Sequence, residues 1–136
     1  MVQRRILIID DDIDDQELFT EAIGELNIDF SCESASNGEE GLQRLNDKDK
    51  PLPDLIFLDL NMPRLNGKQC LERIKASKRL RDIPVIIYST SSQENDIHDT
   101  LAMGAVHFLT KPSSFNELCQ SLGEVLIRQN FIIQAS

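Results

Sequence analysis

The stretch Pro53-Asp-Leu-Ile-Phe-Leu-Asp-Leu-Asn-Met-Pro63 drives a short apolar run, Leu55 to Leu58, into a lone acid at Asp59. An uninterrupted apolar run between turn signals has the pattern of a strand buried on both faces, as in a parallel sheet. In open α/β sheets ligands bind beyond the carboxyl ends of the strands, which is where Asp59 would stand. An aspartate after a buried strand also serves as a loop starter or a helix cap. Taken alone, the stretch leaves both readings open.

Working outward, the same pattern recurs at Ile6-Leu-Ile-Ile9, followed by Asp10-Asp-Asp12, and at Pro84-Val-Ile-Ile-Tyr-Ser89. Residues 29–35 alternate as a weaker second strand before Asn37-Gly38, and Ala105 to Leu109 form a fifth. Between them, apolar residues recur at helical spacing. Leu18, Phe19, Ala22, Ile23 and Leu26 mark a first helix, with Asp12 as its cap and Asp14 and Asp15 in its first turn. Leu42 and Leu45 belong to a short second helix over Glu39 to Leu45. Cys70, Leu71, Ile74 and Leu80 mark a third that ends in the basic segment Lys78 to Arg81. Ile97, Leu101 and Ala102 suggest a fourth, stopped at Gly104, and Phe115, Leu118, Leu122, Val125 and Leu126 a last one.

Strictly alternating strands and helices require right-handed crossovers and a parallel sheet with helices on both faces. The expected fold is α/β, a flavodoxin-like doubly wound (βα)5 unit with a five-stranded parallel sheet in the order 2-1-3-4-5. The 136 residues suit one domain, 1–136, with a core over about 5–128 and a short C-terminal tail. Phe131-Ile-Ile133 in that tail would support a homodimer or pack back onto the domain.

Composition narrows the function. A net charge of −9 disfavours direct nucleic-acid binding, which needs a basic patch. No apolar run approaches the roughly 18 residues of a membrane span, and the Met1-Val-Gln-Arg-Arg start lacks a signal-peptide core, so a cytoplasmic protein is expected. Cys32, Cys70 and Cys119 have neither disulfide nor zinc spacing, and His98 and His107 fall in no metal pattern. Met103 is expected to pack in the fold.

The proposed topology brings four strand ends together: Asp10 and Asp11, then Asp59, then Ser89 and Thr90, then Lys111. Three carboxylates at one place repel, and a hard cation such as Mg²⁺ relieves the repulsion through oxygen ligands. Lysine, hydroxyl and metal together clamp a phosphoryl group, and a carboxylate is a competent nucleophile for it. Separately, these residues also read as helix caps and surface turns.

With these residues in hand, the chain resembles a response-regulator receiver domain of two-component signalling, from Ile6 to about Leu126. Ile-Leu-Ile-Ile-Asp-Asp is similar to the family's first strand and acidic pair, and Leu-Asp-Leu-Asn-Met-Pro to its phosphoacceptor segment. Gly67 and Thr110-Lys-Pro112 complete the pattern. The resemblance implies that Asp59 accepts a phosphoryl group from a histidine kinase or phosphotransfer protein. It also implies that Asp10, Asp11, Asp59 and the backbone carbonyl of Asn61 hold Mg²⁺ or Mn²⁺. Ser89 matches the switch hydroxyl, Lys111 the phosphate-bonding lysine and Phe108 the mobile aromatic, and Lys111-Pro112 is expected to be cis. Output would pass through the face of the fourth helix, fifth strand and fifth helix to an unknown downstream protein, with no attached output domain. The protein would assist its own phosphorylation and dephosphorylation without being a turnover enzyme.

Two departures stand out: Phe108 lacks a hydroxyl, and Ser113 replaces a common Phe. The segment from Ala76 to Pro84, with Tyr-Ser-Thr-Ser-Ser92, is similar to the single-domain subgroup paired with bacterial phytochromes. The rivals are a haloacid-dehalogenase-like phosphatase using Asp10, Asp12, Ser89 and Lys111, and a pseudo-receiver that never takes phosphate. The phosphatase would need a later acidic pair, and only Glu117 and Glu124 follow Lys111.

Overall fold

The computed structural model describes residues 3–26 and 28–130. Its elements are β1 (Arg4–Ile9), α1 (Ile13–Glu25), β2 (Phe30–Ala35), α2 (Gly38–Asn46), β3 (Leu55–Leu58), α3 (Gly67–Ala76), β4 (Val85–Ser89), α4 (Glu94–Ala102), β5 (His107–Thr110) and α5 (Phe115–Arg128). The strands form one sheet in the order β2-β1-β3-β4-β5, and every neighbouring pair is parallel. This is the expected doubly wound (βα)5 topology. Phe131, Ile132 and Ile133 lie outside the described residues.

The apolar runs are continuous because both faces of the central strands are covered. Ile6, Ile8, Leu55, Phe57, Ile86 and Tyr88 point to the side packed by Phe19 of α1 and Leu122 of α5. Their alternates Leu7, Ile9, Ile56, Leu58, Val85 and Ile87 point to the side packed by Leu45 of α2 and Leu71 of α3. Phe19, Phe57 and Tyr88 form an aromatic cluster on the first side, with the Phe19 and Phe57 ring centroids 4.7 Å apart and edge-on. Met103 packs against the second core, as expected.

Four local expectations shift. Helix α2 starts at Gly38, because the Asn37 side chain caps it by accepting from Glu40 N. Helix α3 stops at Ala76: Ser77 is extended, and the N–H groups of Leu80 and Arg81 both turn back to the Ser77 carbonyl. Leu80 is therefore buried by a turn and not by a helical face. In α4 the fully buried position is Thr100, whereas Leu101 is 43% exposed. β5 also begins later than the apolar run, at His107.

The carboxyl ends of β1 and β3 lie side by side where the strand order reverses, since Ile9 is paired with Leu58. Asp10 and Asp59 follow those residues immediately. Asp59 N donates to the Ile9 carbonyl at 2.9 Å, and Asp10 N to the Ala35 carbonyl at 3.0 Å, so both acids leave the sheet on fixed backbone. The remaining strand ends, Ser89 and Thr110, are paired with each other.

Candidate functional site

Asp10, Asp11 and Asp59 each place one carboxylate oxygen so that all three lie within 4.8 Å of one another. Asp10 and Asp59 are buried, while Asp11 is exposed at the mouth. Backbone groups hold the buried pair: Leu60 N donates to Asp59 Oδ1 at 2.9 Å, and Asp12 N to Asp10 Oδ1 at 3.0 Å. Burial pushes the Asp59 carboxyl up to about 7; Lys111 opposes the rise, and the charge on Asp10 reinforces it. Burial raises Asp10 as well, against Lys111 and the Asp12 N–H. The cluster thus favours fewer negative charges than it carries.

A hard divalent cation fits this donor set. All three ligands are carboxylate oxygens, and Asp10 Oδ2 is buried with no aligned hydrogen bond. Its polar neighbour is the Lys111 ammonium, 2.8 Å away as an ion pair. Asn61 lies exposed two residues beyond Asp59, beside Leu60 and Lys68 at the rim.

Lys111 reaches the site because Lys111 N donates to the Ser89 carbonyl at 2.7 Å, fastening the end of β5 to that of β4. Its side chain is 8% exposed, with Nζ 2.7 Å from Asp15 Oδ2 and 3.9 Å from Asp59 Oδ2. Burial opposes its charge, but contacts with Asp10 and Asp15 outweigh that and hold the ammonium above its usual range. Nζ also lies over the Tyr88 ring, 5.3 Å from the centroid.

Ser89 is fully buried at the end of β4, and its Oγ accepts from Ser91 N at 3.2 Å. Ser91 in turn organises the following loop. Its Oγ donates to Asp96 Oδ2 at 2.6 Å, and its carbonyl accepts from Thr110 Oγ1 at 3.2 Å. Asp96 is held by Lys68 of α3 at 2.9 Å. Phe108 is half-buried against the core beneath α2 and α3, outside the acidic cluster.

The structure corrects one expectation outright: no peptide bond among the described residues is cis, so Lys111-Pro112 is trans. The tertiary amide of an X-Pro bond separates the isomers by only about 0.5–1 kcal/mol, so a resemblance in residue types does not fix the isomer. The phosphatase geometry also fails. Asp12, its second acid, caps α1 by accepting from Asp15 N at 3.2 Å, and Glu117 and Glu124 are exposed on α5.

Two residues near the site escape a reading of the chain. In the sequence Asp15 reads only as an acid of the first turn of α1, yet it bonds Lys111. Gln16 is buried and donates to the Asp10 carbonyl at 2.6 Å, tying α1 to the acidic loop. Its only signal in the sequence is a place on the inward stripe, three positions before Phe19.

Fold and site together define an α/β domain that gathers acids for a divalent cation and a phosphoryl group at the switch point of its sheet. The response regulator receiver domain model matches residues 6–123, and the chain belongs to that family. The probable methanogenesis regulatory protein FilR2 of Methanothrix harundinacea is 30% identical over 123 residues, 88% of this chain and 79% of its own length. Several other curated relatives are about twice as long as the part this chain spans.

Among solved structures, the phosphorylated cyanobacterial phytochrome response regulator RcpA matches with a TM-score of 0.87 at 27% identity, over 99% of this chain and 100% of that one. The Mn²⁺-bound response regulator Rcp1 matches at 0.85 and 26%, over 98% and 99%. Asp10, Asp11 and Asp59 are accordingly the acidic triad of a receiver domain, placed for divalent metal and aspartyl phosphorylation. That chemistry modifies the domain itself and does not turn over an external substrate. Among the described residues, no helix is long and apolar enough to cross a membrane.

Proposed function

We propose that this chain acts as a receiver whose phosphoacceptor is Asp59, served by a sensor histidine kinase or a phosphotransfer protein. The convergence of Asp10, Asp11 and Asp59 within 4.8 Å, with Lys111 beside them, carries this reading. The phytochrome response regulator RcpA is a full-length structural match, which favours a phytochrome-type kinase as donor.

An Asp59 carboxylate oxygen forms the new P–O bond as the donor's P–N bond breaks, and the electron pair leaves on the imidazole nitrogen. Asp10, Asp11, Asp59 and the Asn61 carbonyl would hold Mg²⁺, which would supply charge neutralisation for the phosphoryl oxygens. Lys111 bonds one of those oxygens. The Ser89 hydroxyl turns from Ser91 N to another, and the loop after β4 follows it inward. Phe108 then turns into the space vacated, and the surface of α4, β5 and α5 changes for a downstream protein or a second copy of the chain. Net negative charge makes a protein surface the fitting target, and not nucleic acid.

The test is intact-mass spectrometry after incubation with Mg²⁺ and acetyl phosphate. Wild type should gain one labile phosphoryl group, lost on chelation of the metal, and Asp59→Asn should gain none. Equal labelling of the variant would refute the assignment. An unlabelled wild type would favour a pseudo-receiver.

A further inference from the structure

We propose that Asp15 is a positioning residue for phosphoryl transfer, holding the Lys111 ammonium away from Asp59 in the resting protein and competing with the phosphoryl group for it. The proposal rests on the reading of Asp59 as phosphoacceptor. Lys111 Nζ lies 2.7 Å from Asp15 Oδ2 in an aligned hydrogen bond, but 3.9 Å from Asp59 Oδ2, beyond hydrogen-bond reach. The lysine, also 2.8 Å from Asp10 Oδ2, therefore lies between Asp10 and the first turn of α1 and stands off the residue that is to be phosphorylated.

Asp15 is poorly placed to follow the ammonium. Its own N–H is spent on the Asp12 cap at 3.2 Å, and the next residue, Gln16, grips the Asp10 carbonyl at 2.6 Å, so the turn carrying Asp15 is fastened at both ends. Lys111 has the longer and more adaptable side chain. A phosphoryl group adds roughly one to two negative charges at Asp59, and a lysine drawn toward it must loosen its bond to Asp15. Whatever Asp15 contributes to the resting state is then subtracted from the phosphorylated one. With its side chain 28% exposed, Asp15 is wetter than Asp10, so it opposes the transfer without forbidding it.

Fluoroberyllate with Mg²⁺, a tetrahedral phosphoryl mimic, provides the test on the full chain. Binding is followed by calorimetry and by emission of Tyr88, the only tyrosine in a chain without tryptophan, which lies 5.3 Å from Lys111 Nζ. Asp15→Asn should tighten binding by about threefold to tenfold, the size of an ordinary side-chain coupling. Before any ligand is added, it should also change Tyr88 emission, because the ammonium moves. Asp15→Glu should behave like wild type. Asp14→Asn removes the same charge from the neighbouring exposed position and should change affinity by less than about twofold. Unchanged or weaker binding in Asp15→Asn, or an equal gain in Asp14→Asn, would overturn the role of Asp15. A wild type that ignores fluoroberyllate would instead overturn the reading of Asp59, and the proposal with it.

Discussion

Without divalent metal, Asp59→Asn should melt at a higher temperature than wild type at pH 8, and the difference should vanish as the pH falls toward 4. The sign follows from the direction of the shift. Burial raises the Asp59 carboxyl from 3.8 to about 7, so the folded protein holds this proton more tightly than the unfolded chain. Wild type is then penalised progressively as pH rises between those two values, and by a constant amount above them. The displacement sets a ceiling of about 4 kcal/mol at 1.36 kcal/mol per pH unit. Asparagine keeps the acceptor that Leu60 N requires and never ionises. Thermal unfolding of both proteins across this pH range, with and without Mg²⁺, checks the expectation. Metal should restore wild type and do less for the variant. A variant less stable than wild type at pH 8 would mean that the buried charge is already compensated.

Gly67→Ala should cost about 3 kcal/mol, at the upper end of what overpacking exacts. A Cβ on Gly67 would sit 2.2 Å from the Asp59 carbonyl oxygen and 2.6 Å from Leu60 Cα. Both are backbone atoms, so no side-chain rotation relieves the contact. Gly67 N also donates to the Leu60 carbonyl at 2.9 Å, and Asn66 and Gln69 form a capping box around the start of α3, so the helix cannot easily back away. The glycine thus lets a helix start directly against the phosphoacceptor's own backbone. Urea unfolding should show the loss as a lower midpoint. Gly24→Ala is the control: nothing lies within 4 Å of its added methyl, and it should stabilise α1 by about 0.5–1 kcal/mol. A Gly67→Ala protein as stable as wild type would show that the loop after β3 yields.

The fold was legible wherever burial on both faces left an uninterrupted apolar run. Ile6 to Ile9, Leu55 to Leu58 and Val85 to Tyr88 read as strands because α helices cover each side. Element ends were less legible. Leu80 falls six positions after Ile74, off the helical stripe of α3, and is buried by the turn at Ser77, so its burial did not mean that the helix continued. The acidic triad was legible because Asp10 and Asp59 directly follow such runs and Asp11 comes next, so the topology fixes where they emerge. Asp15 was not, since its partner is 96 residues away and its place in a helical first turn already explained an acid there. The hub at Ser91 was hidden likewise, because its bonds to Asp96 and Thr110 depend on how the loop after β4 folds.

Whether Asp59 carries the phosphoryl group, and not its neighbours Asp10 or Asp11, is read most directly by trapping the modified residue. Borohydride reduces an acyl phosphate to an alcohol at the carbon that bore it, and peptide mass spectrometry then locates the change. After treatment with acetyl phosphate and Mg²⁺, the reduced residue should be Asp59 alone, and it should be absent when the metal is chelated. Reduction at Asp10 or Asp11, or none in protein that had demonstrably gained phosphate, would contradict the assignment.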